Sequence, residues 1–196
     1  MTTKQMAWCP DSVPQQDPDS APLPLVVRHA QAFAQVLAEM PITIEADDLI
    51  VGNCVAEGVI VRTNVADYAS HAERDQARAE GSSIGAGLSH KTPYYYDVIG
   101  RGLSSILADV EGKVAEVSGR EPSAERDAVL AHYQAMIVES RAVIGMAHRY
   151  ADLAAALAAG AALSAARRAE LVEIAAFCRR VPEFPARSFH EAIQSF

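Results

Sequence analysis

Apolar positions return every three or four residues along most of this chain, the spacing that places them on one face of a helix. From Leu25, the residues Val26, Ala30, Phe33, Leu37 and Met40 share such a face, and Pro41 ends the pattern. The next stretch, PITIEADDLIVGN, breaks the period. It reads as a short β-like run, an acidic turn at Glu45–Asp48, and the apolar triplet Leu49-Ile50-Val51 stopped by Gly52. Val59-Ile60-Val61 is a second β-like stretch, and the polar residues 66–82 form a short exposed helix. One helix is expected over Tyr95–Val117, with Val98, Leu103, Ile106, Leu107 and Val110 turned inward. Pro122 and Ser123 suit the start of the next and longest helix. Its stripe runs through Leu130, Tyr133, Ile137, Ile144, Ala147, Ala151, Ala154 and Ala158. Ser164 caps AARRAELVEIAAFCRR, whose inner face is Leu171, Ile174, Ala175 and Cys178. Val181-Pro182 closes that helix, and Ser188 with Glu191 forms a capping-box pattern that opens a last one.

The chain is therefore mainly α. Five prolines within residues 1–24 oppose both helix and sheet, so that segment is expected to be a proline-rich, extended or disordered arm. Residues 25–196 form the folded domain.

Composition narrows the function classes. A net charge of −8 and 6% aromatic residues disfavour nucleic-acid binding, which needs basic residues for phosphates and rings for bases. No run of 18 apolar residues spans a membrane. The opening residues lack the apolar centre of a secretory signal, so a cytoplasmic protein is expected. Cys9, Cys54 and Cys178 share no spacing and form no zinc pattern; Cys178 lies on an inward helical face, and Cys54 in a loop is the more exposed.

Familiar catalytic motifs are missing. Gly85-Ala86-Gly87 lacks the rest of a phosphate-binding loop. The six histidines (29, 71, 90, 132, 148 and 190) contain no H-E-x-x-H, and no G-x-S-x-G elbow occurs. Glu139-Ser140-Arg141 and His148-Arg149-Tyr150 place polar groups on a largely apolar helix, where charges need partners, so interhelical ion pairs are expected. His90 differs. It stands in SHKTPYYYDV, between a glycine-rich loop and a helix start, where binding residues often sit.

Three blocks together resemble the glycyl radical enzymes of the pyruvate formate-lyase type. RHAQAFAQVLAEMPITIEADDLIVGN is similar to that family's helix, acidic turn and "LIVGN" pattern. GLSHKTPYYYDVIGRGLSSI carries its second element through His90, Pro93, Tyr95, Val98, Gly102, Leu103 and Ile106. RYADLAAALA and RRAELVEIAAFCRRVPEFPARSFHEAIQSF resemble the "RYA" helix and the "EL-x-x-IA-x-x-C-x-x-VP-x-x-PA-x-x-F-x-EA-x-Q" signature. There are departures: the region between Asn53 and His90 is short, and Tyr94 stands where an acidic residue is common.

The resemblance implies a fold, a chemistry and a division of labour. Residues 25–196 would be the N-terminal helical portion of a ten-stranded α/β barrel, truncated at its C-terminal end. The parent enzyme would carry out a radical lyase or dehydratase step on a small polar substrate. Its glycyl radical is installed by an activating enzyme that uses S-adenosylmethionine and an iron–sulfur cluster. The radical glycine and the catalytic cysteine loop of the family match nothing here, so the chain is expected to hold no catalytic residue, metal or cofactor and to be inactive alone. His90 matches the family histidine that can hydrogen-bond a departing substrate hydroxyl. Expected partners are the activating enzyme, further copies of the chain and the remaining C-terminal part on another chain. The alternative is a non-catalytic helical scaffold or interaction module.

Overall fold

The computed structural model describes residues 4–8, 23–52, 55–56, 59–63, 68–82 and 95–195, the stretches 4–8, 55–56 and 59–63 by their backbone alone. Among these residues lie seven helices and three short strands: β1 (Lys4–Trp8), α1 (Leu25–Glu39), β2 (Val55–Ala56), β3 (Val59–Thr63), α2 (His71–Ala79), α3 (Tyr95–Arg101), α4 (Leu103–Ser118), α5 (Ala124–Ala158), α6 (Ala165–Arg180) and α7 (Phe189–Gln194). Helix predominates, as the apolar period requires.

Helix α5 organises the rest. Its 35 residues extend about 50 Å at the usual rise per residue, and α1, α4 and α6 all pack against it. Ser123 opens it by accepting the Arg126 N–H at 3.1 Å. Along its C-terminal half, Ala151, Ala154 and Ala158 are buried with Tyr150 against Leu171, Ile174 and Cys178 of α6 and Val51. Alanines at this contact let the two helix backbones approach closely, so the larger residues come mostly from one side. The inner face foreseen for α6 is present, with Ala175 only partly covered.

Several expectations need correction. The buried stripe of α1 is Val27, Ala30, Ala32 and Val36, continued by Met40, so it is rotated from the one the period suggested; Val26, Phe33 and Leu37 are half-buried. The contact with α5 selects the smaller side chains and leaves the bulkier ones at its margins. The same selection acts on the N-terminal half of α5, where Ala131 and Ala135 are buried and Leu130, Tyr133 and Ile137 are not fully covered. Residues 41–44 form no strand, whereas the turn after them is as foreseen, with the Glu45 N–H donating to Asp48 Oδ2 at 2.8 Å. Lys4–Trp8 is a strand, parallel to β3, within the arm expected to build no sheet. Those five residues precede the first proline, Pro10, so every backbone N–H needed for pairing is present. β3 covers the expected β-like stretch at Val59-Ile60-Val61 and also pairs antiparallel with β2.

The single helix expected over Tyr95–Val117 is two helices, α3 and α4, divided at Gly102. Gly102 adopts φ +77°, outside the helical region. The short exposed helix foreseen within residues 66–82 is α2, opened by a reciprocal capping box between Ser70 and Glu73.

The polar groups on α5 find partners. His29 Nδ1 lies 3.3 Å from Glu139 Oε1, and Arg141 pairs with Glu111 at 2.8 Å. Arg149 does something different. Its guanidinium donates to the Leu37 carbonyl at 2.6 Å and the Met40 carbonyl at 2.7 Å, satisfying the free end of α1. Arg167 of α6 similarly holds the acidic turn, donating to the carbonyls of Glu45 and Asp48 at 2.8 Å each.

Candidate functional site

Residues 181–194, which follow α6, bring together segments far apart in sequence. Val181 leaves the helix with extended backbone, and the Val181–Pro182 peptide is cis. Pro182 and Glu183 turn their carbonyls to the first N–H groups of α4: Leu103 and Ser104 donate at 2.9 Å each. No side chain caps α4, so these carbonyls do the capping. The Ala186 N–H donates to the Ile99 carbonyl at the end of α3, also at 2.9 Å. Glu183 reaches α5 as well, its Oε2 lying 2.9 Å from His148 Nε2, a close approach without hydrogen-bond alignment.

Helix α7 follows, and one face of it grips the 49–51 segment. Gln194 pairs with Val51 in both directions: its Oε1 accepts the Val51 N–H at 3.0 Å and its Nε2 donates to the Val51 carbonyl at 2.9 Å. His190 Nε2 lies 3.0 Å from the Leu49 carbonyl, and its ring is tilted on Phe177 with centroids 4.4 Å apart. The adjoining face is open. Phe189 is 83% exposed, and Ile193 one turn later is also exposed.

Glu191 at the base of α7 is the single buried charged residue among those described, 3% exposed. Ser188 caps the helix through the Glu191 N–H at 3.1 Å, as the capping-box pattern foresaw. The Glu191 carboxylate does not return to Ser188, however. It accepts from the Arg187 N–H at 2.5 Å and the Arg187 guanidinium at 2.9 Å, with Arg180 Nε 3.6 Å away. Burial by itself would raise the Glu191 pKa. The Arg187 side chain and N–H, with the charge of Arg180, more than offset that and hold the carboxyl below its ordinary value.

The model of the pyruvate formate lyase-like family matches residues 57–196, well over half of the chain. The chain belongs to that family, the glycyl radical enzymes. Isethionate sulfite-lyase of Oleidesulfovibrio alaskensis is 38% identical over 103 residues, which are 52% of this chain and 12% of that protein. Isethionate sulfite-lyase of Bilophila wadsworthia is 36% identical over 101 residues, again 12% of its length. A Roseburia inulinivorans structure described for 1,2-propanediol dehydration superposes on the whole chain with a TM-score of 0.78 at 24% identity, covering 31% of that protein. A glycyl radical enzyme from Archaeoglobus fulgidus superposes on 93% of the chain with a TM-score of 0.70 at 25% identity, covering 29% of its length. The chain thus spans under a third of these relatives.

Within this glycyl radical enzyme fold, the family blocks read from the sequence meet in space. Residues 49–51 of the "LIVGN" block and residues 99–104 of the second block are each joined to the 181–194 signature by the hydrogen bonds above. The signature residues Glu191 and Gln194 have structural work, and Glu183 and Gly102 gain roles the sequence did not assign. Arg180 and Arg187 flanking the Ser188–Glu191 pair were the available signal for a buried carboxylate.

His90, the substrate-binding residue carried over from the resemblance, lies outside the described residues, as do Cys9, Cys54 and Gly85–Gly87. Cys178 is buried on α6, and burial pushes its thiol up to about 12. It should resist alkylation at pH 8 in the folded chain and react once the chain is denatured; rapid labelling of the native protein would contradict this. Among the described residues, no group of three or more His, Cys, Asp or Glu side chains is placed to hold a metal ion. No described helix is long and apolar enough to cross a membrane.

Proposed function

We propose that this chain supplies the N-terminal helical part of a glycyl radical enzyme that breaks a C–O, C–N or C–C bond, or one to sulfur, in a small polar molecule. The observation that carries this reading is the match of residues 57–196 to the pyruvate formate lyase-like family, and the superposition of the whole chain on 31% of a 1,2-propanediol-dehydrating protein supports the fold. The Clostridium butyricum glycerol dehydratase, at a TM-score of 0.72 over 93% of the chain, supports the same fold. In this reading the barrel, the thiyl-forming cysteine and the radical glycine belong to the remaining part of the enzyme. That part is either covalently continuous or on a partner chain, and the activating enzyme acts there.

The radical, once installed, supplies hydrogen-atom abstraction. The share of this chain is binding and proton handling. His90 would face the substrate and donate a hydrogen bond to the departing oxygen, a task suited to imidazole near neutral pH. Arg149, Arg167 and the 181–194 segment would fix the helical frame.

The test is electron paramagnetic resonance after anaerobic incubation with S-adenosylmethionine and a radical-activating enzyme, with a full-length family member in parallel. The chain alone is expected to give no glycyl radical signal while the full-length protein does; a signal on this polypeptide would overturn the reading. A second reading, a non-catalytic interaction module in the cytoplasm, draws on the exposed Phe184, Phe189 and Ile193. It requires a cooperative dimer in sedimentation and no gain of activity with any barrel-bearing chain.

A further inference from the structure

Helix α3 raises a question of stability. It has seven residues and none is fully buried, yet a helix this short does not persist in water by itself. Its ion pairs are exposed: Arg101 with Asp97 at 3.9 Å, and Arg101 with Asp109 of α4. Exposed pairs contribute little. Residues 181–186 tie it through the backbone, where the Ala186 N–H meets the Ile99 carbonyl and the carbonyls of Pro182 and Glu183 take the first two N–H groups of α4. One turn of chain therefore closes the end of α3 and the start of α4 together.

We propose that residues 181–186 are a latch that sets the break at Gly102 and holds α3 in place, with Gly102 and Glu183 as its positioning residues. Gly102 allows the close approach. A Cβ there would lie 2.5 Å from the Glu183 carbonyl oxygen and 2.6 Å from Phe184 Cα, and φ of +77° disfavours any other residue. Glu183 secures the turn from its other side, its Oε1 accepting from Ser104 Oγ at 3.4 Å and its Oε2 facing His148 of α5. The latch thereby joins α3, α4 and α5 through backbone and side chain at once. It holds whether or not the chain serves a radical enzyme. Only its bearing on His90, five residues before α3 in the sequence, rests on the function proposed above.

Residue-resolved amide hydrogen exchange on the full chain tests this. In the unmodified protein, the Leu103 and Ser104 amides should be protected, although first-turn amides of a helix ordinarily are not. In Gly102→Ala, exchange at the Ile99–Arg101 amides, the ones α3 itself can protect, should rise by about tenfold or more while the facing halves of α5 and α6 stay protected. Glu183→Ala removes the Ser104 contact and keeps the backbone bonds, so it should loosen the same helix by a smaller factor, about three- to tenfold, and it decides the question if Gly102→Ala does not fold. Arg101→Ala should leave α3 exchange within about twofold, as expected for an exposed pair. Leu103 and Ser104 exchanging at solvent rates, α3 unchanged in both latch variants, or α3 released by Arg101→Ala would each overturn the proposal. None of these outcomes depends on the radical signal.

Discussion

Ala154→Leu is expected to destabilise the chain by about 1–3 kcal/mol, the usual cost of forcing added methylenes into a well-packed core. Ala154 is 0% exposed and lies in the cluster with Leu171, Ile174 and Cys178. Added bulk there meets the buried Leu171, Ile174 and Cys178 face of α6. For a domain of this size the thermal midpoint falls by about 2–4 °C per kcal/mol. Ala155→Leu, one position along and exposed, is the control and should stay within about 0.5 kcal/mol. Equal shifts in the two variants, read by thermal or urea unfolding, would show that the small-residue contact does not limit the core.

The second large effect is at Glu191. Glu191→Ala leaves Arg180 without its carboxylate and the Arg187 N–H without an acceptor, and should cost about 2–4 kcal/mol, as removal of one member of a buried charge cluster does. Because Arg187 is largely exposed and can turn to water, the lower end of that range is expected. The effect has a pH signature. The folded-state pKa of Glu191 lies below its unfolded value, so the carboxylate's contribution is fully present above the ordinary carboxyl range and is lost as pH falls through the folded pKa. The gap in urea midpoint between the wild-type chain and Glu191→Gln should therefore be widest near neutrality and narrow in acid. A gap that does not change between pH 7 and pH 3 would refute the ionic role.

Helix existence was readable from the apolar period, and the caps at Ser123, Ser164 and Ser188 were readable from residue type. The phase of a buried stripe was less so. On α1 and α5, several apolar residues crowd each turn, and only the shape of the facing helix decides that alanine and valine go inward. The break at Gly102 was hidden for a different reason: a glycine inside an apolar period is tolerated in many helices. What breaks this one is a backbone turn 80 residues later, since Gly102 meets Glu183 at 81 positions' remove only after folding. Arg149 was legible as a buried charge needing a partner, but its choice of carbonyls over a carboxylate followed from the position of the α1 end. The radical family was legible through the resemblance of three residue blocks to its patterns. The residues in those motifs turned out to bind one another, whereas His90 remains a candidate on the strength of the resemblance.

The pairing of Gln194 with Val51 touches only main-chain atoms of the 49–51 segment. An amide side chain has there taken the place of a neighbouring strand. Recognition of this kind ignores the identity of the recognised side chain, so Leu49, Ile50 and Val51 can diverge among homologues as far as the core at Val51 permits. Proline at 51 is the exception, because it deletes the donor that Gln194 reads. Sequence drift in that segment would therefore be a poor guide to whether it still meets α7, and the residue to follow is Gln194.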